Sequence, residues 1–175
     1  MKKNFMPQMY AKSIYTVNYE LLKKKGITCL LFDLDNTLVE PHAKHVDEKL
    51  KKWIENLKKD FLIIIFSNSM KNRVQTFREE LQVEMNHTSL KPHAYSFRKV
   101  LKKYHLKEKE VAIIGDQLFT DVIGGNNVGI MTILVDPLTT NDFWITKYNR
   151  YREEKKFKQL QEQGLLVKGQ YYDEM

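Results

Sequence analysis

The stretch CLLFDLDNTLVE, residues 29–40, decides the fold class of this 175-residue chain. Four apolar residues lead directly into two carboxylates, Asp33 and Asp35, which stand two positions apart. A continuous apolar run is typical of a strand that is buried on both faces of a parallel sheet. Residues two apart on a strand point to the same side, so both carboxylates are expected together where the strand ends. Like charges held together cost free energy unless a cation lies nearby, so the pair indicates function rather than stability.

Further apolar runs predict the rest of a sheet. FLIIIF (61–66), VAIIG (111–115) and MTILV (131–135) have the same continuous character, and VEMNH (83–87) is a weaker candidate for an edge strand. Apolar residues recur at helical spacing between these runs, and Asn68 or Ser69 is available to cap the helix that contains Val74. Alternating strands and helices predict an α/β fold, with a mostly parallel five-stranded sheet and helices on both faces.

Composition limits the class of protein and its partners. The hydrophobic content of 42% is enough for a core, and the net charge of +7 indicates anionic partners or, equally, simple solubility. Cys29 is the single cysteine, so no internal disulfide can form. The N-terminus has no apolar signal segment, and the longest apolar run is far shorter than a membrane span. We expect a cytoplasmic protein, or one that is peripheral on the inner face of a membrane.

Polar residues follow each predicted strand at the edge where the carboxyl ends of parallel strands meet. Ser67 and Asn68 follow the second run, Asp116 and Asp121 follow the third, and Lys91 lies after the weak edge strand. Chemistry in open α/β sheets gathers at this edge. Each piece has an ordinary explanation when taken alone: a turn, a helix cap, a surface lysine or a loop. Their coincidence at one edge favours a functional site.

The residue types at this edge suit the transfer of a phosphoryl group. Asp33 and Asp116 offer hard oxygen ligands to Mg²⁺. Asp33 is placed to attack phosphorus and form an aspartyl-phosphate, as carboxylates do in covalent catalysis. Asp35, on the same side, would protonate the leaving oxygen and later activate water.

The remaining polar residues are predicted to bind the phosphate or to support the site. Ser67 and Asn68, with nearby backbone N–H groups and the start of the next helix, would bind phosphoryl oxygens. Lys91 would offset the charge on the phosphoryl group and on the nucleophile. Asp121 would support the metal site or orient Lys91.

The order of these motifs resembles a known superfamily. DLDNTL, Ser67 after a strand, Lys91–Pro92 and GDQLFTD resemble, in that order, the four motifs of the haloacid dehalogenase (HAD) superfamily. The resemblance implies a Rossmann-like core, Mg²⁺ and an aspartyl-phosphate intermediate. It implies Asp33 as the nucleophile, Asp35 as the acid/base, and Asp33, the backbone carbonyl of Asp35 and Asp116 as metal ligands.

A closer resemblance covers roughly residues 9–150 and is to the YqeG family, a subfamily IIIA branch of this superfamily. YAKSIYTVNYELLKKKGITCLLFDLDNTLV, SNS, KPHAYSFRK and GDQLFTDVIGGNNVGIMTILVDPL are the stretches that resemble it. Family members in mitochondria and plastids act on phosphatidylglycerophosphate, so the resemblance implies a phosphate on a phospholipid headgroup or on a small phosphomonoester. The short segment between Asp35 and FLIIIF leaves no room for a large cap domain over the site.

Three segments are expected along the chain. Residues 1–26 form an N-terminal strap or extension, 27–140 the HAD-like phosphatase core, and 141–175 a basic C-terminal helix and tail. The basic helix has two interpretations: its aromatic side either lies on an anionic membrane or packs on the core.

Other functions stay open from the sequence. The same edge would also serve a non-catalytic module that binds a phosphorylated partner or RNA, a phosphatase of a soluble metabolite, or a phosphoacceptor similar to response regulators. Nucleic acid is not the expected partner, because a protein that only binds anions gains nothing from Asp33 and Asp35.

Overall fold

The computed structural model describes residues 5–86, 89–139 and 144–173, with only the backbone described for residues 144–150. Six strands are present in this part of the chain: β1 (Met9–Ala11), β2 (Cys29–Phe32), β3 (Leu62–Phe66), β4 (Glu84–Asn86), β5 (Val111–Gly115) and β6 (Met131–Val135). The helices are α1 (Tyr19–Lys24), α2 (Glu48–Leu57), α3 (Lys71–Leu81), α4 (Ala94–Lys103), α5 (Ile123–Val128) and α6 (Trp144–Glu162). A π-helix, Leu118–Val122, leads directly into α5.

All the strand pairs are parallel, in the order β1-β6-β5-β2-β3-β4. The predicted α/β fold is therefore confirmed, but the predicted number of five strands is wrong. The additional strand is β1, which pairs with β6 and lies in the segment that we expected to be an extension. Of the weak edge strand, residues 84–86 form β4, and His87 lies outside the described residues.

The central strands are buried on both faces, which explains their continuous apolar sequences. Leu30 and Phe32 of β2 belong to the cluster that contains Ile54 of α2 and Phe77 of α3. Cys29 and Leu31, which alternate with them, belong to the opposite cluster with Phe97 of α4. Because the helices cover both faces, the carboxyl edge of the sheet is where polar side chains can gather.

Helix α6 packs on a third apolar cluster beside β1 and β6. Leu160 and Leu166 are buried there against Tyr10 and Leu134, and Phe157 lies at the border of the cluster. The described part of α6 thus directs an apolar side toward the protein. Among the described residues, no helix combines the length and hydrophobicity that a bilayer crossing requires.

No separate domain lies between β2 and α2. After Asp33 the chain makes a tight turn in which the amide of Asn36 donates to the carbonyl of Val39, at 2.7 Å. It then continues as loop 40–46 to Asp47, whose carboxylate caps α2 by accepting from the amide of Leu50 at 2.7 Å. Residues 33–47 therefore form no large cap over the carboxyl edge of the sheet, as the sequence predicted.

Candidate active site

Two neighbouring strands, β2 and β5, deliver three buried acids to one place. Asp33 directly follows β2 and Asp116 directly follows β5, while Asp121 lies in the π-helix after β5. All three side chains are buried, and each offers a carboxylate oxygen within 4.8 Å of the others. The hydroxyl of Thr37 donates to Asp116 Oδ1 at 3.1 Å, which connects the β2 turn to the end of β5.

Lys91 lies between two of these acids. Its Nζ is 2.8 Å from Asp33 Oδ1 and 2.6 Å from Asp121 Oδ1, and its side chain is only 2% exposed. Burial lowers the pKa of Lys91, but the carboxylates of Asp121 and Asp33 outweigh burial, so its pKa is raised and the ammonium stays charged. The contact with Asp121 is compatible with one of the two roles predicted for that residue, the orientation of Lys91, and that role stays a prediction.

The donor set fits a hard divalent cation. Three carboxylates and one ammonium leave a net negative charge in a buried group, which a cation would balance. Carboxylate oxygens are the ligands that Mg²⁺ accepts in proteins, usually with several waters retained. Lys91 contacts both Asp33 and Asp121, so this pairing does not distinguish them, and Asp33 and Asp116, which directly follow β2 and β5, stay the predicted metal ligands.

The polar residues after β3 organise the loop that carries Lys91. Ser67 is buried, and its Oγ accepts from the amide of Ser69 at 3.1 Å. The side-chain amide of Asn68 donates to the carbonyl of Lys91 at 3.1 Å and accepts from the backbone N–H of Lys91 at 2.8 Å. Asn68 thus fixes the backbone of Lys91, and its predicted contact with phosphate stays a prediction.

The predicted helix cap at this point is wrong. Helix α3 has Met70 at its N-cap position, with no capping hydrogen bond from that side chain. Asn68 is engaged with Lys91, and the hydroxyl of Ser69 donates to Asp35 Oδ2. Both side chains are held by the site, which overrides their usual preference for capping.

The family follows from comparison with known proteins. A family model described as mitochondrial PGP phosphatase matches residues 1–139. The chain belongs to this family. It is also 36% identical over 165 residues to "Probable phosphatase YqeG" of Bacillus subtilis, a match that covers 94% of this chain and 96% of that protein. The resemblance to the YqeG family is therefore confirmed.

A plant relative carries a more specific name. The chain is 29% identical over 144 residues to "Phosphatidylglycerophosphate phosphatase 1, chloroplastic/mitochondrial" of Arabidopsis thaliana. That match covers 77% of this chain but only 41% of the plant protein.

Solved structures share the fold. A subfamily III A hydrolase of the HAD superfamily from Legionella pneumophila has a TM-score of 0.51 at 20% identity, over 69% of this chain and 72% of that one. The cobalt-bound deoxy-D-mannose-octulosonate 8-phosphate phosphatase from Haemophilus influenzae has a TM-score of 0.52 at 15% identity, over 81% and 92% of the two chains. The family match and the named relatives identify a HAD-type phosphatase, and the solved structures share its fold.

In this HAD-type phosphatase, sequence reasoning missed the residue that holds Asp35. Arg73 of α3 donates to Asp35 Oδ1 from Nε at 2.9 Å and from Nη2 at 2.7 Å. Its other donors reach the carbonyls of Glu40 and Ala43 in loop 40–46. Burial raises the pKa of Asp35, and the hydrogen bonds from Ser69 and Arg73 oppose that effect without cancelling it. One arginine on a helix gives no signal in a single sequence, so only the fold identifies its partner.

A glycine makes room for Asp121. A Cβ built on Gly115, the last residue of β5, would lie 2.2 Å from Cγ and from Oδ2 of Asp121. The carboxylate of Asp121 also accepts from the amide of Gln117 at 3.2 Å, which fixes its direction within the π-helix. Gly115 therefore leaves space for the Asp121 side chain, and Asp116 next to it is the predicted metal ligand.

Proposed function

We propose that this phosphatase hydrolyses a phosphomonoester through an aspartyl-phosphate on Asp33, with Mg²⁺ as cofactor. The observation that carries the proposal is the buried contact of 2.8 Å between Lys91 Nζ and Asp33 Oδ1, with Asp35 two residues further on. The ammonium of Lys91 places a positive charge next to the proposed nucleophile, where negative charge is handled during the transfer.

In the first step, a carboxylate oxygen of Asp33 attacks phosphorus, and the bond from phosphorus to the ester oxygen breaks. Asp35 gives its proton to the departing alkoxide, which leaves as an alcohol. Arg73 and Ser69 hold the Asp35 carboxyl in one orientation through both of its oxygens. The ammonium of Lys91 and the Ser67 hydroxyl would stabilise charge on the phosphoryl oxygens.

In the second step, water attacks the phosphorus of the aspartyl-phosphate. Asp35, now a carboxylate, takes a proton from that water, and the bond between phosphorus and Asp33 breaks. Inorganic phosphate leaves, Asp33 returns as a carboxylate and Asp35 is again protonated. Both steps use the same pair of acids, which accounts for their spacing on one side of the chain.

The proposed metal ligands are Asp33, the backbone carbonyl of Asp35, and Asp116. When bound there, Mg²⁺ would neutralise phosphoryl oxygens and lower the repulsion that an anionic substrate meets from the acids. Thr37, which donates to Asp116, would keep that carboxylate directed into the site.

For the substrate we propose phosphatidylglycerophosphate, whose terminal phosphomonoester would be released to leave phosphatidylglycerol. The match to the mitochondrial PGP phosphatase family and the name of the Arabidopsis relative support this choice. The uncapped edge also supports it, because a phosphate on a bulky headgroup needs an open approach. The protein would then work as a peripheral protein at a membrane, and nucleic acid is not a proposed partner.

A soluble phosphate is the second candidate. The chain is 31% identical over 113 residues to "Glyceraldehyde 3-phosphate phosphatase" of Pyrococcus furiosus, over 59% of this chain and 42% of that protein. The same site chemistry would serve that substrate, so substrate assays must separate the two.

The test measures phosphate released from phosphatidylglycerophosphate micelles, glyceraldehyde 3-phosphate and p-nitrophenyl phosphate, with Mg²⁺ or with EDTA. We expect Mg²⁺-dependent release that is fastest from the lipid and at least about 10³-fold slower in Asp33→Asn. Asp60→Asn, an exposed acid far from the catalytic edge, is the matched control and should behave as wild type. Faster release from glyceraldehyde 3-phosphate would favour the second candidate, and full activity in Asp33→Asn would disprove the mechanism.

A further inference from the structure

Three large apolar side chains are exposed beside the active site. Met70 is 81% exposed, Tyr95 is 74% exposed and Leu90 is 61% exposed. Met70 directly precedes α3, Leu90 directly precedes Lys91, and Tyr95 lies in the first turn of α4. All three therefore belong to segments at the carboxyl edge of the sheet, and we call them the apolar rim.

Two members of the apolar rim lie beside the loop residues that support the site. Met70 and Leu90 line an open pocket of about 470 Å³ together with Asn68, Ser69 and Lys91. The buried acids do not line this pocket, so Met70 and Leu90 lie at the border of the site and outside its catalytic group. Exposed apolar groups gathered at one opening mark a contact surface, whereas single ones scattered over a protein do not.

The backbone at Leu90 is unusual for a branched side chain. Its φ is +42°, in the left-handed region that residues other than glycine, asparagine and aspartate rarely adopt. Such strain persists where the surrounding structure enforces it, and it clusters at ligand sites. The hydrogen bonds from Asn68 fix the backbone of Lys91, which directly follows Leu90, and the Leu90 side chain is exposed to solvent.

Basic residues accompany the apolar rim. Lys71 is exposed in the first turn of α3 and lines the same pocket, and Lys44 is exposed in loop 40–46, next to the Ala43 carbonyl that Arg73 contacts. Lysines beside exposed apolar and tyrosine side chains suit the headgroup region of an anionic bilayer. A protein partner of the usual kind would need a larger and less charged surface.

We propose that the apolar rim of Met70, Leu90 and Tyr95 inserts into an anionic lipid surface and so turns the phosphate site toward the headgroups. This proposal rests on the proposed function, because contact with a membrane is useful to the enzyme only if its substrate is a lipid. Insertion itself can be measured without any hydrolysis. The proposal assigns the membrane contact to the rim instead of α6, whose Leu160 is buried in the protein.

The first experiment places an environment-sensitive dye at the rim. Burial raises the pKa of the Cys29 thiol to about 12, so this single native cysteine is inert and an introduced cysteine can be labelled alone. Met70→Cys carrying the dye NBD is mixed with phosphatidylcholine vesicles, with and without phosphatidylglycerol. Tyr151→Cys is the matched control, since Tyr151 is an exposed aromatic residue on α6.

We expect the fluorescence to increase at position 70 only, and only when phosphatidylglycerol is present. An increase at position 151 alone, or none at position 70 with anionic vesicles, would overturn the proposal. An equal increase at position 70 with pure phosphatidylcholine would overturn the part assigned to the lysines.

The second experiment removes the apolar side chains. Met70→Ser with Tyr95→Ser should lower vesicle binding by roughly tenfold or more. It should lower hydrolysis of phosphatidylglycerophosphate in vesicles in proportion, and leave p-nitrophenyl phosphate hydrolysis intact, which also reports correct folding. Tyr151→Ser with Leu165→Ser, at the distal exposed positions, should change none of these quantities.

The outcomes separate the two proposals. If the rim binds vesicles but the lipid is not hydrolysed, the membrane-binding role of the rim stands and the proposed substrate is wrong. If the lipid in vesicles is hydrolysed equally fast by wild type and the rim variant, the proposed substrate stands and the membrane-binding role of the rim is wrong.

Discussion

The carboxyl edge of the central strands buries charges, whereas the side formed by β1, β6 and α6 buries apolar and aromatic groups. At the edge, Lys91 is enclosed between Asp33 and Asp121. On the other side, Tyr10 lies among the apolar residues that include Leu160, and it exchanges two backbone hydrogen bonds with Tyr172 of the tail, at 2.8 and 2.9 Å. The first arrangement is costly to bury and the second is favourable.

This difference separates residues that serve chemistry from residues that serve stability. A cluster of buried charges tends to lower the stability of a fold. We propose that this cluster is present because catalysis requires it. The side around α6 contributes burial of apolar surface and should respond to mutation through the free energy of unfolding alone. Each change below acts on one of the two regions and tests whether that separation is real.

Replacing Lys91 with methionine should have the largest effect. Met fills much of the same space, but Asp33 and Asp121 then face each other without the ammonium, and one of them will take up a proton. We expect the catalytic rate constant with p-nitrophenyl phosphate to fall about 10³-fold, or ~4 kcal/mol of activation free energy. Lys99→Met, at an exposed position of α4, is the control. A loss of less than tenfold would refute a catalytic role for Lys91.

Replacing Leu160 with alanine tests the other region. Leu160 is buried in the cluster beside β1, so its truncation should lower the free energy of unfolding by about 2–4 kcal/mol. Urea denaturation measures this change, and the catalytic rate constant should stay within a factor of two. Leu165→Ala, partly exposed and five positions along, should cost far less. A large loss of activity in a folded Leu160→Ala protein would show that the regions are coupled.

Replacing Gly115 with alanine should disturb the edge by displacing Asp121. The new Cβ would overlap the Asp121 carboxyl, so Lys91 would lose its second partner. We expect a ten- to hundredfold loss of rate, about 1.4–2.7 kcal/mol. In a double-mutant cycle, Gly115→Ala combined with Asp121→Ala should be no worse than Asp121→Ala alone. Additive losses would mean that Gly115 matters for another reason.

Replacing Glu80 with glutamine should have the smallest effect. Glu80 accepts from the amide of Val46 at 2.9 Å and contacts His45, which fixes loop 40–46 to α3. The Val46 hydrogen bond and then His45 hold the pKa of Glu80 below its ordinary value. Its contribution is therefore present above the ordinary pKa of glutamate and lost as the pH falls through the lowered value.

For this variant we expect a loss of about 0.5 kcal/mol in the free energy of unfolding near neutral pH, because the pair is partly exposed. The difference between wild type and variant should shrink as the pH falls from neutral through the lowered pKa of Glu80. A difference that does not depend on pH would mean that the Glu80 charge is not the cause.

Sequence patterns predicted the edge better than the rest of the molecule. Strands β5 and β6 have the predicted bounds, and Asp33, Lys91, Asp116 and Asp121 meet as expected, because parallel strands bring their carboxyl ends together. The site depends on particular residue types at positions directly after the strands, and a single sequence shows both.

What the sequence did not reveal depends on contacts between distant segments. The three residues of β1 show no pattern of their own, since their strand character comes from pairing with β6. Arg73 looks like any helix surface residue until the fold places Asp35 beside it. Asn68 and Ser69 are residue types that often cap helices, but here their side chains form tertiary hydrogen bonds to Lys91 and Asp35. The domain limits at residues 26 and 140, and a membrane contact by α6, stay predictions; the side chains of Trp144 and Tyr148 lie outside the described residues.

The pairing of β1 with β6 also affects how the chain is made. Met9 pairs with Ile133, so about 120 further residues must be synthesised after β1 before its partner strand is available. At elongation rates of roughly 5 to 20 residues per second, this interval is roughly 6 to 25 s. Strands β2 to β5 can assemble meanwhile, but Met9, Tyr10 and Ala11 remain available to chaperones. A nascent chain stalled before residue 131 should therefore be captured through this short segment.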